Sequence, residues 1–359
     1  MQVPIQTAFV TGSSGLLGTN LVRLLIDRGV RVRALARSRE KAVRQFGDVE
    51  GFDDRVEIVV GDMTNVASFA PRLSGCDVVF HTAAHFRDSY KGGSHRRELH
   101  RVNVLGTAEL LKAAKSAGVA RFVHTSSVAV LRGERGQVVD ETMDRRLEDA
   151  DDYYRSKILS EREVAAFLGA HPDFWACMIL PGWMHGPYDL GPTSAGQTVL
   201  DYMRGNVPGI VPGSFAVVDA RDVAQAMVSA AERGVRGARY LAAGRHMTLA
   251  ELFEVLESVT GVAAPKRRIP AALLYAIAAG NELVARITGR PVLLSWASVR
   301  SLTSEAERSR YDHGRSEREL GLSFRPVEET LADEVAWFRS AGLLPQESPT
   351  HAESRAHAV

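Results

Sequence analysis

Short apolar runs alternate with amphipathic helical patterns through the first half of the chain. The apolar runs are Thr7–Val10, Arg31–Ala36, Val56–Val60, Asp77–Thr82, Arg121–Thr125 and Trp175–Leu180. The helical patterns between them include Leu16–Asp27, Glu98–Ala117 and Tyr153–Leu168. Strands that alternate with helices in this way predict an α/β fold, a doubly wound parallel sheet with helices on both faces.

The second half of the chain has a different pattern. Residues 181–213 are rich in glycine and proline, which predicts loops over a pocket. A strand–helix unit at 215–233 and a strand at 239–242 are expected to return to the sheet. From Thr248 to about Ala341 the pattern is mostly helical, and the polar tail at 345–359 is expected to be disordered.

Three glycines follow the first apolar run, in Thr11-Gly-Ser-Ser-Gly-Leu-Leu-Gly18. Such a turn between a strand and a helix is typical of a dinucleotide site of the Rossmann type. Gly12 permits the tight turn, Gly15 lets the backbone approach the phosphates, and Gly18 lets the helix pack closely. Residues 1–185 are therefore interpreted as an NADP-binding Rossmann domain, to which 215–243 return. Residues 186–214 and 244–343 are left as a smaller, mostly helical substrate-binding region.

Composition and charge limit the partners and the compartment. The 359 residues carry a formal net charge of +1, so no strong electrostatic argument favours nucleic acid or an anionic membrane. Two distant cysteines and no basic-then-apolar leader predict a reduced, cytoplasmic protein without a metal site. The longest apolar stretch, Ile269–Ala279, is shorter than the ~20 residues that a bilayer span needs. We interpret it as a helix of the substrate region, with peripheral membrane docking as the alternative.

Tyr153 and Lys157 are four residues apart, a spacing that places both on one helix face. An ammonium beside a phenol lowers the pKa of the phenol, which can then exchange a proton with a carbonyl or alcohol oxygen. Ser126 and Ser127 end a strand, where ligands bind in open α/β sheets. The simpler interpretations are an exposed helix face and serines that only turn the chain. Tyr154, three residues from Lys157, is assigned to packing.

Eight motifs in order make the chain resemble the extended short-chain dehydrogenase/reductases from about Thr7 to Gly342. They are Thr11-Gly-x-x-Gly-x-x-Gly18, Gly61-Asp62, His81-Thr-Ala-Ala84, Asn103-Val-x-Gly-Thr107, Thr125-Ser-Ser127, Tyr153-x-x-x-Lys157, Pro181-Gly182 with Gly186-Pro187, and Val218-Asp-Ala-Arg-Asp-Val-Ala224.

The resemblance implies a role for each matching residue. Tyr153 would be the acid/base, Ser127 would orient the substrate, and Lys157 would hold the nicotinamide ribose and lower the pKa of Tyr153. Asn103 would support Lys157, unless it is a helix-packing amide. The implied cofactor contacts are Gly12, Ser13, Ser14, Gly15, Leu16, Leu17, Gly18, Arg37, Asp62, Met63, Thr82, Ala83, Ala84, Lys157, Pro181 and Gly182. The expected substrate contacts are His85, Phe86, Ser127, Trp183, Met184 and Tyr188; His85 and His185 are weighed as second proton carriers against pocket lining.

The end of the second strand bears on the choice of cofactor. Enzymes that use NAD carry an Asp or Glu there for the ribose 2′-hydroxyl, whereas this chain has Ala36 followed by Arg37. Arg37 can pair with a 2′-phosphate and stack on adenine. We therefore predict NADP(H) in preference to NAD(H); the alternative is a solvated arginine at a strand end.

Three features favour a carbonyl reductase or alcohol dehydrogenase acting on a small hydrophobic or ring-bearing ketone or alcohol. Val128-Ala129 stands where family dehydratases carry Asp-Glu after the serine, and Phe215-Ala216 stands where nucleotide-sugar enzymes carry Arg-Asp. Arg37 favours a dissociable NADP(H).

In detail the chain is most similar to the dihydroflavonol reductase-like branch, which includes hopanoid-associated sugar epimerases. A sugar or nucleotide-sugar epimerase and a non-catalytic NADP sensor therefore remain alternatives. A homodimer through the helices at 98–117 and 153–168 is also expected from the resemblance.

Overall fold

The computed structural model describes residues 4–86, 95–288, 299 and 305–346. Its strands are β1 (Thr7–Thr11), β2 (Arg31–Ala36), β3 (Val56–Val60), β4 (Val78–His81), β5 (Arg121–Thr125), β6 (Val138–Val139), β7 (Trp175–Pro181), β8 (Trp183–His185), β9 (Ser214–Asp219), β10 (Arg239–Ala242), β11 (Arg245–Thr248) and β12 (Arg310–Tyr311). Its α-helices are α1 (Leu16–Asp27), α2 (Arg39–Phe46), α3 (Phe52–Arg55), α4 (Arg96–Leu99), α5 (Gly106–Ser116), α6 (Asp152–Ala170), α7 (Ser194–Met203), α8 (Ala220–Arg233), α9 (Leu249–Thr260), α10 (Ala271–Thr288), α11 (Gly314–Leu320) and α12 (Val327–Ser340).

Seven parallel strands form the main sheet in the order β10-β7-β5-β4-β1-β2-β3. The order reverses between β1 and β4, where Thr11 pairs with His81. A crevice at the carboxyl ends of the strands opens at such a switch point, and ligands bind there in open α/β sheets. The predicted Rossmann-type, doubly wound α/β fold is confirmed.

Apolar side chains cover both faces of this sheet, which is why its strands appear in the sequence as continuous apolar runs. One face packs against Leu21 and Leu25 of α1 and Met227 of α8. The opposite face packs against helices α5 and α6 through Leu110 and Val164. The α1 helix ends at Asp27, and Gly29 follows with a φ of 78°, the left-handed conformation that ends helices.

The expected return of 215–243 to the main sheet needs a correction. Strand β10 joins that sheet, but β9 pairs in parallel with β8 and antiparallel with β11 in a separate sheet. The chain leaves the main sheet at Gly182, where a Cβ atom would lie 2.4 Å from the carbonyl oxygens of both Ala216 and Ala243. This crowding turns β8 away from β7, so β9 meets it outside the main sheet.

The second sheet packs with α7, α9 and α12 around a third apolar core, which includes Leu200, Phe253 and Phe338. Helix is thus the main structure of the described part of 248–341, as the pattern predicts. Within the described residues, no helix is long and apolar enough to cross a membrane. The domain boundaries remain predictions, and the tail expected to be disordered lies outside the described residues apart from 345 and 346.

Candidate active site

The glycine turn joins β1 to α1 at the switch point. Gly12 has a φ of 63°, and a Cβ atom there would lie 2.7 Å from the Cα of Ala83. A Cβ atom on Gly18 would lie only 2.1 Å from the carbonyl oxygen of Gly12. Gly15 is exposed, and its Cβ would meet only that oxygen, at 3.4 Å. Gly12 and Gly18 therefore allow close backbone contacts in this turn, whereas Gly15 faces open space.

The amino end of α1 is suited to an anion. Gly15 is its N-cap, no side chain caps the helix, and its first turn has no acidic residue. Its free N–H groups and the positive end of the helix dipole therefore face the crevice. Ser13 is buried and donates to the carbonyl of Leu35 at 2.9 Å, which fixes the turn against β2. The backbone of Ser14 and the buried side chains of Leu16 and Leu17 complete this turn.

Two cations lie at the end of β2. Arg37 is exposed, and Ser38 caps α2 by accepting a hydrogen bond from the Lys41 N–H at 3.1 Å. Burial lowers the pKa of Lys41, and the nearby charge of Arg37 lowers it further. The Asp189 carboxyl acts in the opposite direction on Lys41, and an anion bound beside the two cations would stabilise the ammonium further. Lys41 is absent from the predicted site; its position one turn into a helix that starts after β2 was the available signal.

The residues that follow β3 and β4 line the same crevice. Burial acts to raise the pKa of Asp62, but hydrogen bonds from Thr64 and the charge of Arg37 hold it below its usual value. Met63 is buried, with its carbonyl oxygen against Gly106 of the helical segment that ends in α5.

After β4, the Thr82 hydroxyl donates to the carbonyl of Thr11 at 2.6 Å, which holds the β4 loop against the glycine turn. Ala83 is half-buried and Ala84 is exposed. On the other side, Pro181 ends β7 and is buried, and Gly182 leads into β8.

A buried histidine connects the glycine turn to the helical segment before α5. His81 Nδ1 lies 2.8 Å from the Thr11 hydroxyl and its Nε2 lies 2.9 Å from the Thr107 hydroxyl. Thr107 donates its own proton to the carbonyl of Asn103, so we assign the His81 proton to Nε2. Burial and the charge of Lys157 lower the pKa of His81 to about 3, which keeps the imidazole neutral.

Asn103 lies in a π-helical stretch, His100–Leu105, and its amide fixes the loop after β4. Its Oδ1 accepts from the His85 N–H at 2.7 Å, and its Nδ2 donates to the His85 carbonyl at 3.0 Å. The same Nδ2 also donates to the Ser156 hydroxyl at 2.9 Å. These contacts place the amide between the substrate-side loop and α6. The expected support of Lys157 by Asn103 stays a prediction.

Tyr153 lies in the first turn of α6, which Asp151 caps by accepting from the Tyr154 N–H at 2.8 Å. The Tyr153 side chain is 9% exposed. Phe86 packs edge-on against its ring, with 4.5 Å between the ring centroids. The structure thus brings together a predicted substrate residue and the predicted acid/base.

The neighbouring Tyr154 has different contacts. The Arg145 guanidinium lies 4.7 Å from the centre of its ring, and Arg145 forms a bidentate ion pair with Glu305. The Tyr154 ring therefore packs against Arg145, consistent with its assignment to packing.

Lys157 is buried one turn after Tyr153, and its Nζ donates to the carbonyl of Thr125 at 2.9 Å. Burial lowers the pKa of Lys157 to about 8, against which the Glu161 carboxylate acts to raise it. Glu161 is also buried and forms an ion pair with Arg239 of β10. The Glu161 carboxylate therefore helps to keep the Lys157 ammonium protonated near neutral pH. Glu161 is absent from the predicted site, although it lies four residues after Lys157 on the same helix face.

Ser127 lies at the carboxyl end of β5, as the strand pattern predicts. Its hydroxyl oxygen accepts from the Ala129 N–H at 3.1 Å and starts a short 3-10 turn. A hydroxyl that accepts from the backbone keeps its own proton for another acceptor. Ser127 is partly exposed, whereas Ser126 is buried. Ser127 can therefore reach a ligand in the crevice, and Ser126 cannot.

Trp183 and Met184 are half-buried on β8. Trp183 donates from Nε1 to the Ser194 hydroxyl at 3.2 Å, and its ring centroid lies 4.4 Å from that of Phe215. Phe215, of the predicted Phe215-Ala216 position, is thus paired with an aromatic ring of β8.

Two residues considered for the substrate side have other partners. Tyr188, at a φ of 75°, lies between the Arg23 guanidinium, 4.0 Å from its ring centre, and the Trp337 ring at 5.8 Å. His185 is fully buried and lies 2.9 Å from a carboxylate oxygen of Glu334. The structure therefore gives His185 a partner in α12 and no surface at which to meet a substrate. Among the described residues, no group of His, Cys, Asp and Glu side chains is arranged to hold a metal ion.

Comparisons with known proteins agree with this geometry. The family model described as the NAD dependent epimerase/dehydratase family matches residues 8–243. Sterol demethylase protein B of Methylococcus capsulatus is 37% identical over 342 residues, which cover 94% of this chain and 100% of that protein. A putative dihydroflavonol 4-reductase of Synechocystis is 33% identical and covers 94% of this chain and 95% of its own. The crystal structure of gox2253 superposes with a TM-score of 0.78 at 31% identity, over 94% of this chain and 99% of that one.

Proposed function

The chain belongs to the NAD dependent epimerase/dehydratase family, and from this premise we propose that it is an NADP(H)-dependent oxidoreductase that interconverts a ketone and an alcohol. The family and the relatives above already support an enzyme of the extended short-chain dehydrogenase/reductase superfamily. The observation that carries the finer proposal is the buried Lys157, one turn from Tyr153 and bonded to the end of the strand that carries Ser127.

Each of the three side chains has a role that follows from its surroundings. Tyr153 gives a proton to the carbonyl oxygen during reduction and takes it back during oxidation. Ser127 donates its free hydroxyl proton to the same oxygen and fixes its position. The Lys157 ammonium stabilises the phenolate of Tyr153 and lowers the pKa of that phenol. A bound nicotinamide would supply or accept the hydride.

The residues of the crevice fit a phosphorylated dinucleotide. The open backbone at Gly15 and the uncapped amino end of α1 suit its pyrophosphate. Arg37 and Lys41 supply two cations where the 2′-phosphate of NADP(H) would lie, and no carboxylate stands at the end of β2 to favour a free 2′-hydroxyl. These features support NADP(H) in preference to NAD(H).

The substrate that fits best is a hydrophobic, ring-bearing ketone or alcohol. Phe86 contacts Tyr153, and the Trp183–Phe215 pair contributes an apolar aromatic surface. The names of the two relatives refer to a sterol and to a dihydroflavonol, both ring-bearing molecules. The same aromatic pair offers no cation for a diphosphate, which argues against a nucleotide-sugar substrate.

A thermal-shift screen tests the cofactor first. A ligand that binds only the folded state stabilises it by about 4 kcal/mol at a thousand times its Kd, and by less at a smaller multiple of its Kd. At equal concentrations NADPH should therefore raise the melting temperature more than NADH, because NADPH is expected to bind more tightly. Stabilisation by a UDP-sugar in place of NADPH would favour the epimerase alternative. Turnover is then measured as NADPH oxidation with a panel of cyclic ketones.

The paired variants Tyr153→Phe and Tyr154→Phe test the acid/base. Loss of the Tyr153 hydroxyl should abolish NADPH oxidation while NADPH binding persists, whereas Tyr154→Phe should stay active because its ring packs against Arg145. Full activity in Tyr153→Phe would refute the assignment. NADPH binding without turnover of any ketone by the unmodified protein would support a sensor.

A further inference from the structure

Helix α10 presents an apolar face to solvent. The exposed positions in its described part are Ala272, Leu273, Ala276, Ile277, Ala279, Gly280, Leu283 and Val284. All are apolar, and the large side chains keep substantial exposed fractions: 45% for Leu273, 39% for Ile277 and 61% for Leu283. Contiguous apolar surface of this kind marks an interaction site on a folded protein.

The opposite face of α10 fixes its orientation. Leu274 and Ala278 are buried in a small cluster with Ile269 and Val299, against which Val211 also packs. Rotating the helix to hide Leu273 and Ile277 would expose Leu274 and Ala278 instead. The outward apolar face therefore follows from how the helix is anchored.

Three cations precede this helix. Lys266, Arg267 and Arg268 are consecutive and exposed, and none forms an ion pair with a carboxylate of the described residues. Their backbone is held to the loop after α7, because the Ile210 N–H donates to the Arg267 carbonyl at 2.7 Å and the Ile269 N–H donates back to the Ile210 carbonyl at 2.9 Å. The cations are thus fixed at the amino end of the apolar face.

We propose that α10 and the cluster Lys266–Arg268 form a docking surface for an anionic membrane. A bilayer interface offers acyl chains to the apolar face and anionic headgroups to the adjacent cations. From Leu273 to Leu283 the helix extends about 15 Å, and it would lie in the plane of the interface. The net charge of +1 does not indicate this surface, because it sums over the whole chain whereas the three cations are consecutive.

A second copy of the chain fits this surface less well. None of the fully exposed positions of α10 in the described part is a carboxylate, and Glu282 is only partly exposed, so an identical α10 would place little negative charge against Lys266–Arg268. Headgroups of anionic lipids supply that charge directly. The homodimer expected from the family resemblance would use the helices at 98–117 and 153–168, whereas the buried side of α10 packs against Ile269, Val299 and Val211.

Vesicle flotation tests the proposal with the full chain. The protein should float with vesicles of phosphatidylcholine and phosphatidylglycerol in equal parts, and should stay in solution with pure phosphatidylcholine or in high salt. Leu273→Glu with Ile277→Glu should lower the partition coefficient by roughly tenfold per residue. Changing Lys266, Arg267 and Arg268 to Gln should lower it by roughly fivefold per residue, because each cation near the surface contributes ~1 kcal/mol.

Val235→Glu is the matched control, since Val235 is 52% exposed on a different surface and should float as the native protein does. Circular dichroism melting and light scattering accompany each variant, to exclude unfolding and to report the oligomeric state. Native protein that fails to float overturns the proposal. Normal flotation of the Leu273→Glu, Ile277→Glu variant also overturns it. A native dimer that binds no vesicles and becomes a monomer in this variant would show instead that α10 is a dimer interface.

Discussion

Substitution of Gly18 by alanine should damage the glycine turn, and the structure gives the size of the conflict. A Cβ atom at this position would lie 2.1 Å from the Gly12 carbonyl oxygen and 2.8 Å from the Ser13 Cα. Both contacts are with backbone, which cannot rotate aside as a side chain can. To reach the 3.4 Å of ordinary contact, α1 and the turn must separate by about 1.3 Å.

The expected free-energy change has two opposing terms. Alanine in a helix interior is favoured over glycine by about 1 kcal/mol. Overpacking that forces the backbone to shift costs about 1–3 kcal/mol, and a backbone clash belongs at the upper end of that range. Gly18→Ala should therefore lower the free energy of unfolding by about 2 kcal/mol, each kcal/mol being worth roughly 2–4 °C in Tm for domains of 150–250 residues.

Two further alanine variants separate this clash from other effects of glycine. Gly169 lies near the end of α6 with nothing near its Cβ position, so Gly169→Ala should stabilise the protein by up to about 1 kcal/mol. Gly15→Ala meets only the Gly12 oxygen at 3.4 Å and should melt near the native temperature. It should nevertheless bind NADPH at least about tenfold more weakly, because its methyl group enters the space where the backbone must approach the phosphates.

The assays are thermal melting without cofactor and NADPH titration by fluorescence. The expected order of stability is Gly169→Ala, native, Gly15→Ala and Gly18→Ala, with the affinity of Gly15→Ala reduced. A Gly18→Ala variant as stable as Gly169→Ala would refute the packing argument. Native NADPH affinity in Gly15→Ala would refute the placement of the pyrophosphate.

Three further predictions concern charge and pH. Arg37→Asp should reverse the preference for NADPH over NADH in titrations, and Lys41→Met should weaken the binding of NADPH but not of NADH. The reason is that each cation would contact only the 2′-phosphate, which NADH lacks. An unchanged ratio of the two affinities would mean that neither residue sets the choice of cofactor. Glu161→Gln should shift the limb of the pH–rate profile that reports the Lys157 pKa, about 8, to lower pH by about one pH unit or more. The reason is that the Glu161 carboxylate raises the pKa of the Lys157 ammonium. An unshifted profile would show that Glu161 has no such effect. The contribution of Lys157 to the free energy of unfolding should increase as pH rises from about 8 towards the ordinary lysine pKa of about 10.4. The reason is that in this range the buried lysine binds fewer protons in the folded state than in the unfolded state. A contribution of Lys157 to the melting temperature that decreases over the same range would contradict the assignment.

The main sheet could be predicted because its strands are buried on both faces. Runs such as Arg31–Ala36 and Arg121–Thr125 match the observed strands residue for residue, and α1 begins and ends where its apolar stripe does. The second sheet could not be predicted in the same way. Strands β8 and β11 have three and four residues, too few to show a period, and their pairing depends on the turn at Gly182.

Within the site, spacing along the sequence predicts pairs of side chains on one helix but not pairs formed between two distant elements. Tyr153 and Lys157 belong to one helix, so their spacing was informative. His185 and Glu334 are 149 residues apart, and the pairing of Glu161 with Arg239 crosses from α6 to β10. Such pairs form because a buried polar or charged group needs a partner, and that partner is fixed by the fold and not by the local sequence.

A series of hydrogen bonds shows how these separate elements fix Tyr153 relative to the glycine turn. The Ala83 N–H donates to the Thr11 hydroxyl, which is paired with His81; His81 is paired in turn with Thr107, and Thr107 donates to the carbonyl of Asn103. The Asn103 amide donates to Ser156, whose hydroxyl donates to the Tyr153 carbonyl at 2.7 Å.

Every link of this series is directional, and its middle link needs a neutral imidazole with its proton on Nε2. A protonated His81 would have no lone pair to accept from Thr11. Because burial and the charge of Lys157 lower the pKa of His81 to about 3, the imidazole stays neutral near neutral pH and this alignment is kept. The buried ammonium of Lys157 therefore contributes to the geometry of the site as well as to the chemistry proposed for it.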